Sequence, residues 1–251
     1  MELDKFYTKK EIAKELISYL DVTKYDKIIE PSAGNGSFSK QIKNITAFDI
    51  MPEDNSIEKM DFFCFNSDKG NILTIGNPPF GRNASMAIKF FNHAAEYSKT
   101  ISFIVPLSFR KESIQKKLNP YFVLLKDIDI PADSFTCMGK DYPVPCCFQI
   151  WERTETERTY IKEPNVDFDF CKADEADLAI RRVGGKSGYV TEDVNFVSPS
   201  SFYYIKCKNA KKVKKILSMI KWKFNNTVGP RSISHKEIKI EYLKAKYIME
   251  I

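Results

Sequence analysis

The period of the apolar positions changes several times along the chain, and each change marks an element. Ile12, Ala13, Leu16, Ile17 and Leu20 share one helical face behind the capping-box pattern Thr8-Lys9-Lys10-Glu11, which predicts a helix starting at Thr8. Short β-prone runs follow. Lys27 to Glu30 reads as a first strand, "ITAFDI" (45–50) as a second, "MDFFCF" (60–65) as a third with room for a helix before it, "NILTIG" (71–76) as a fourth and "TISFIVP" (100–106) as a fifth. A helix is expected from about Ser37, and "NASMAIKFFNHAAEYS" (83–98) reads as a helix capped by Asn83. Strands alternating with helices predict an α/β, mostly parallel, doubly wound sheet.

After Lys111 the alternation stops. "YFVLLKDIDI" (121–130) and "CCFQIWER" (146–153) are strands with no long helix between them, which predicts an antiparallel hairpin at the edge of the same sheet. The polar segment 153–170 reads as a linker, and a domain boundary is placed after residue 155. Beyond it, "AIRRVGGKSGYV" (179–190) is a hairpin or loop. "NAKKVKKILSMIKWKF" (209–224) carries Val213, Ile216, Leu217, Ile220 and Phe224 at helical spacing, and "EIKIEYLKAKYIMEI" closes the chain. Residues 156–251 thus form a small α+β region.

Charge sharpens that division. The 251 residues carry a net +6, but residues 178–251 hold 16 Lys and Arg against 5 Asp and Glu, while residues 1–177 hold 23 against 28. A basic segment joined to a mildly acidic body points to a polyanionic partner. Six cysteines without a C-x-x-C pair and only two histidines argue against structural zinc and against histidine general-base chemistry. Charged residues interrupt the opening "MELDKFYTKKEIAKEL", and no run reaches the length of a membrane span, so an intracellular, reducing location (cytoplasmic or nuclear) is expected.

Two stretches carry candidate chemistry. In "EPSAGNGSF" (30–38) the glycines of a strand-to-helix turn admit a ligand close to the backbone, although no third glycine follows at the spacing of a dinucleotide motif. Asp49, at the end of the second strand, has the spacing of an acid that binds ribose hydroxyls, and Asp61 falls near the next strand in reach of an adenine amino group. The second stretch is Asn77-Pro78-Pro79-Phe80. Two prolines remove two backbone donors and fix two φ angles, so the fourth strand ends in a rigid stub whose carbonyls stay free to accept hydrogen bonds. As plain structure, the first stretch is a turn and the second a strand exit with a buried Phe.

Taken together, "EPSAGNGSF", Asp49, Asp61 and "NPPF" resemble the class I S-adenosylmethionine-dependent methyltransferases, and more narrowly those that modify the exocyclic N6 of adenine in nucleic acid. The upstream "FYTKKEIAKEL" resembles that family's N-terminal Tyr-Thr-Pro helix, with Lys9 in place of the proline; its position before the Gly turn matches the gamma-like motif order. The resemblance spans about residues 4–153 and implies a Rossmann-like sheet. It implies that Tyr7, Thr8, Glu30, Pro31, Ala33, Gly34, Gly36, Phe38, Asp49, Ile50, Asp61, Phe62 and Asn77 surround S-adenosylmethionine. Asn77, Pro78, Pro79 and Phe80 then form the catalytic turn, in which the Asn77 side chain and the Pro78 carbonyl hold the target amine and Phe80 stacks on its base. Phe135 is a second aromatic wall or, equally, a core Phe; Arg110 is a phosphate contact or a helix-cap cation. Residues 156–251 match no recognition domain, and their phosphate contacts are assigned to Arg181, Arg182 and Lys186, beside flexible glycines. The expected partner is nucleic acid, DNA ahead of RNA; methylation of protein glutamine and a catalytically dead module are the other readings, and no metal is expected.

Overall fold

The computed structural model describes residues 6–137, 139–227 and 229–250, and the chain divides into two units, Met1–Thr159 and Tyr160–Ile251. The first unit contains, in order, β1 (Tyr7–Thr8), α1 (Lys10–Ser18), β2 (Lys27–Glu30), β3 (Ile45–Asp49), β4 (Glu58–Lys59), β5 (Ile72–Gly76), α2 (Ser85–Ala94), β6 (Thr100–Pro106), α3 (Glu112–Gln115), β7 (Phe122–Asp129), β8 (Phe135–Cys137), β9 (Lys140–Asp141) and β10 (Cys146–Arg153). Seven strands form one sheet in the order β4-β3-β2-β5-β6-β10-β7. Neighbours from β4 to β6 run parallel, while β10 runs antiparallel to both β6 and β7 and brings the expected hairpin to the edge. β1, β8 and β9 form a separate small antiparallel sheet.

Successive residues of the central strands enter opposite cores. Ile28, Leu73, Ile75, Ile104 and Phe148 pack on the side where α1 supplies Ala13 and Leu16. Ile29, Ile72, Ile101, Phe103 and Trp151 pack on the side where α2 supplies Ala87, Phe90 and Phe91. A sheet buried on both faces explains why its strands read as continuous apolar runs rather than alternating ones.

Four local expectations are corrected. Thr8 does not cap α1: it is paired as a strand residue with Phe135, Lys9 takes the cap position without a side-chain capping bond, and the Thr8 hydroxyl is buried with no hydrogen-bond partner among the described residues. No helix starts at Ser37, because β3 begins at Ile45 and leaves room only for a 3-10 turn, Ser39–Gln41. The third strand is Glu58–Lys59; the Asp61 carboxylate accepts the Phe63 amide at 3.0 Å and folds Phe62–Cys64 into another 3-10 turn. Phe62 then stacks on Phe90 of α2, with ring centroids 5.1 Å apart. Finally, Asn83 does not cap α2. Asn83 and Ala84 are both left-handed (φ 54° and 62°), and the helix starts at Ser85 because the Phe80 carbonyl accepts the amides of Met86 and Ala87 at 3.0 and 3.3 Å.

The second unit contains β11 (Phe168–Cys171), β12 (Leu178–Arg181), β13 (Val190–Thr191), β14 (Phe202–Cys207), α4 (Ala210–Met219) and α5 (His235–Glu250). Its sheet is antiparallel throughout, in the order β11-β14-β12-β13. The segment read as a linker therefore ends in a strand. Its first part stays with the first unit, where Arg158 donates to the carbonyls of Gln115 and Asn119 at 2.7 and 3.3 Å, and that unit runs to Thr159. Residues 179–190 form a hairpin with Ile180 opposite Val190. The helix expected to run to Phe224 ends at Met219, where Ile220 turns extended. Ser234 and Glu237 open α5 with a reciprocal capping box: the Ser234 amide donates to Glu237 at 2.7 Å and the Glu237 amide to the Ser234 hydroxyl at 3.3 Å. Ile180, Ile205, Val213, Ile216, Ile238 and Tyr242 make its core.

One backbone contact in this unit is unusually close. Gly188 sits at φ +93°, and a Cβ there would lie 2.1 Å from the Trp222 indole nitrogen. Gly188→Ala is expected to destabilise the protein by roughly 2–4 kcal/mol, combining overpacking with a left-handed backbone penalty. Chemical denaturation followed by Trp fluorescence measures it, and a loss below about 0.5 kcal/mol is incompatible with this packing.

Candidate functional site

The strand order places the site. From β2 the chain builds outward through β3 to β4, then returns to build β5 and β6 on the other side. The reversal lies between β2 and β5, and open α/β sheets bind ligands outside the carboxyl ends of the strands at such a point. Both sequence candidates leave from there: the Gly turn after Glu30 of β2 and Asn77–Phe80 after Gly76 of β5. They touch, since the Ser32 hydroxyl donates to the Asn77 carbonyl at 3.1 Å.

The Gly turn is held from several directions. Gly34 and Gly36 adopt φ values of 54° and 84°. The Gly34 amide donates to Asp49 Oδ2 at 2.8 Å and the Met51 amide to Oδ1 at 2.7 Å, so Asp49 ties its own strand exit to the turn. The Glu53 amide donates to the Gly34 carbonyl at 3.0 Å. Glu30 faces inward, 2% exposed, and its carboxylate accepts the Ser39 amide at 2.8 Å. Burial pushes the Glu30 carboxyl up to about 8, against the opposing pull of the Ser39 and Phe38 hydrogen bonds. A Cβ on Gly34 would meet the Tyr7 ring at 3.0 Å. The Tyr7 hydroxyl donates to the Glu53 carboxylate; burial, then this bond, raises its titration.

The segment carrying Tyr7 and Thr8 straps both turns. Ser37 Oγ donates to the Thr8 carbonyl at 2.6 Å, and Asn77 Nδ2 donates to the Phe6 carbonyl at 3.4 Å. The second bond orients the Asn77 amide and leaves Oδ1 as its acceptor. Pro78 is buried, Pro79 exposed and Phe80 half-buried, with the Phe80 ring touching both cores of the first unit. Because the Phe80 carbonyl caps α2, the turn is anchored at its far end by a helix terminus.

The remaining predicted residues divide clearly. Pro31, Ala33 and the Gly34–Gly36 turn lie with Asp49 around the β2 exit, and the Ala33 amide bonds the Phe48 carbonyl at 2.9 Å. Asp61 is exposed and follows Met60, whose amide bonds the Asp49 carbonyl at 3.0 Å, so the two acids leave neighbouring strands at the same end. Ile50 is 48% exposed beside them. Phe38, Phe62 and Phe135 are each 1% exposed and belong to the cores. Arg110 is engaged within the first unit, its guanidinium bonding Asp127 at 2.9 and 3.1 Å and Asp129 at 2.7 Å. In the second unit, Arg181 Nε donates to the Val183 carbonyl at 3.1 Å, Arg182 donates to the Ser200 carbonyl at 2.8 Å, and Lys186 is exposed. Among the described residues no group of His, Cys, Asp or Glu is arranged to hold a metal ion, and no helix is long and apolar enough to cross a membrane.

Three participants were missed from the sequence. Ser32 lay inside the Gly turn and signalled only a small polar turn residue. The Phe6 carbonyl and Glu53 gave no local signal, because their partners Asn77 and Tyr7 are distant in the chain.

No protein-family model and no curated protein matches the sequence. Solved structures resemble it in part. A candidate RNA methyltransferase from Pyrococcus horikoshii aligns with a TM-score of 0.44 at 18% identity, over 61% of this chain and 89% of its own. The 23S rRNA methyltransferase ErmE aligns at 0.42 and 14% identity, over 61% and 70%. The modification subunit of a candidate type I restriction enzyme from Vibrio vulnificus aligns at 0.46 and 13% identity, over 100% of this chain and 62% of its own. All three scores lie below 0.5, and the functional reading rests on this chain's own residues.

The buried Glu30 carboxyl yields a pH prediction. Its folded value of about 8 exceeds the model-peptide value of 4.5, so between those limits the folded protein keeps a proton that the unfolded chain releases. Stability from this group is therefore lost as pH rises, with a limiting slope of about 1.4 kcal/mol per pH unit. Glu30→Gln keeps an acceptor for Ser39 and cannot titrate. Its stability relative to wild type is expected to rise steadily from pH 5 to pH 8 in denaturant melts; a difference that stays constant with pH means that Glu30 is ionised when folded.

Proposed function

We propose that this protein transfers a methyl group from S-adenosylmethionine to the exocyclic N6 of adenine in nucleic acid, with DNA as the substrate to test first. The observation that carries the reading is the meeting, at the sheet's reversal point, of the Gly turn and the Asn77–Phe80 turn through the Ser32–Asn77 bond.

The residues at the β2 exit fit S-adenosylmethionine. Each Asp49 oxygen accepts one amide and keeps a second lone pair for a ribose hydroxyl. Exposed Ile50 offers an apolar contact to a base, and exposed Asp61 an acceptor for an amino group. Gly34, Gly36 and Tyr7 bound the space toward Asn77, and Glu30 and Phe38 support the turn from inside. When bound, the cofactor supplies an electrophilic methyl group on a positively charged sulfur.

The chain's own contribution is positioning. An adenine amine is a poor nucleophile because its lone pair is delocalised into the ring. Asn77 Oδ1 and the Pro78 carbonyl accept its two hydrogens, favour a more pyramidal nitrogen and aim the lone pair outward. Neither acceptor has a protein partner among the described residues. Proline has no amide proton, so Pro78 and Pro79 cannot close the turn on themselves. Phe80, anchored on both cores, presents its remaining surface to the base; such stacking is worth roughly 1–3 kcal/mol, against the few kcal/mol that unstacking a base costs. No strong base is needed before methyl transfer. The second unit is assigned the phosphate contacts on its basic charge, with Lys186 available and Arg181 and Arg182 each sharing a guanidinium with a backbone carbonyl.

Asp49→Ala is expected to weaken S-adenosylmethionine binding at least tenfold by calorimetry, each tenfold corresponding to about 1.4 kcal/mol, and also to lower the melting temperature, because the Gly34 and Met51 amides lose their acceptor. Unchanged affinity removes Asp49 from the site.

Asn77→Ala is expected to lower kcat by about 10²-fold or more with cofactor affinity retained, since the amide acts on charge that develops during transfer. The assay is methylation of DNA and RNA oligonucleotides followed by digestion to nucleosides, which identifies the base and its sugar together. A near wild-type rate in this variant, or a product other than N6-methyladenine, refutes the mechanism.

A further inference from the structure

Arg82 stands two residues beyond Phe80, on a backbone folded for it alone. Gly81, Asn83 and Ala84 have φ values of 67°, 54° and 62°, so three of the four residues 81–84 occupy the left-handed region. For the non-glycine pair this costs on the order of 1 kcal/mol each. A Cβ on Gly81 would lie 2.9 Å from that of Met86, which makes this position glycine-only. The conformation is held from behind, because the Phe80 carbonyl caps α2 and the Ala84 methyl is buried in the core. Arg82 is exposed just beyond the Asn77–Phe80 turn.

Its pairing state differs from that of Lys9, Lys40 and Arg110 in the same unit. Lys9 is bonded to Asp141 at 2.9 Å, Lys40 to Asp54 at 2.7 Å and Arg110 to Asp129 at 2.7 Å. Arg82 has no carboxylate or carbonyl partner among the described residues. An arginine presents a planar fork of donors that matches a phosphate bidentately. We propose that Arg82 binds a backbone phosphate of the nucleic-acid strand next to the target nucleotide, seating that strand against the Asn77–Phe80 turn. The proposal deepens the adenine-methylation reading and rests on it for its ligand class; Arg82 itself touches no reacting atom and is a positioning residue.

The test uses the full chain as wild type, Arg82→Ala, Arg82→Lys and Arg82→Glu. A fluorescein-labelled adenine-containing oligodeoxynucleotide, single-stranded and as a duplex, is titrated by anisotropy across a salt series, with calorimetry of S-adenosylmethionine alongside. Loss of one phosphate contact is expected to weaken oligonucleotide binding about tenfold in the Ala variant and more in the Glu variant. It should lower the log–log salt slope by about 0.7–0.9. Arg82→Lys should restore most of the slope and only part of the affinity, because it keeps the charge and loses the fork. Cofactor affinity stays within twofold, and in turnover KM for the oligonucleotide rises while kcat changes little. If wild type binds the oligonucleotide and the Glu variant matches it in affinity and slope, the Arg82 proposal fails alone. If wild type has no oligonucleotide affinity at any salt, the proposal fails together with the reading beneath it.

Discussion

The parallel pairing of β2 with β5 is the constraint on which the candidate site depends. Ile28 faces Leu73 and Ile29 faces Thr74, so both strands reach the same edge of the sheet and deliver their following turns side by side. Neither turn could be positioned by its own residues. The Gly turn has no regular structure to stiffen it, and the two prolines of the other cannot enter a ladder. Their relative placement comes from two buried cores that grip alternate residues of the same strands. A slip of one residue would exchange the two faces of a strand throughout, and with them the direction in which Asn77 leaves the sheet.

Around that pair, hydrogen bonds convert proximity into orientation. Ser32 holds the Asn77 carbonyl, Phe6 holds its amide nitrogen and Ser37 holds Thr8. The strap, the Gly turn and the acceptor turn therefore form a closed set in which each segment is fixed by the other two. At the far end the Phe80 carbonyl replaces a side-chain cap on α2, which couples the acceptor turn to a helix whose other face is core. The proposed methyl transfer, which relies on positioning, would need such rigidity, because a misplacement of about 1 Å can cost orders of magnitude in rate.

Charged and polar groups are distributed in keeping with such a site. Glu30 is buried beneath the Gly turn, where burial raises its carboxyl's titration and its bond to the Ser39 amide supports the backbone. Arg110 is enclosed by Asp127 and Asp129, and Asp127 in turn accepts from Gln149 at 2.8 Å, whose oxygen accepts from Trp151 at 3.1 Å. This network knits β7 to β10 and leaves Arg110 a structural cation. Arg82, by contrast, is exposed, between residues with left-handed backbones.

Much of this architecture was legible in the chain. The apolar runs at 27–30, 71–76 and 100–106 announced strands because a sheet covered on both faces needs no alternation, and the period-3.6 faces of α1 and α2 announced the covering helices. The Gly turn and the Asn77–Phe80 turn were legible as turns for a different reason: glycine and proline act through their own backbone restrictions, whatever surrounds them. Tertiary structure decided the rest, wherever a residue had two local options of similar energy. Thr8 had a capping-box pattern but was claimed by pairing with Phe135, and Asn83 was displaced as a cap by the Phe80 carbonyl. Phe62 looked like a strand residue until Asp61 folded it onto Phe90, and the two carboxylates that meet Arg110 come from β7, distant in sequence. Local chemistry sets what each residue can do; which option it takes depends on partners distant in sequence, and those are supplied only when the sheet assembles.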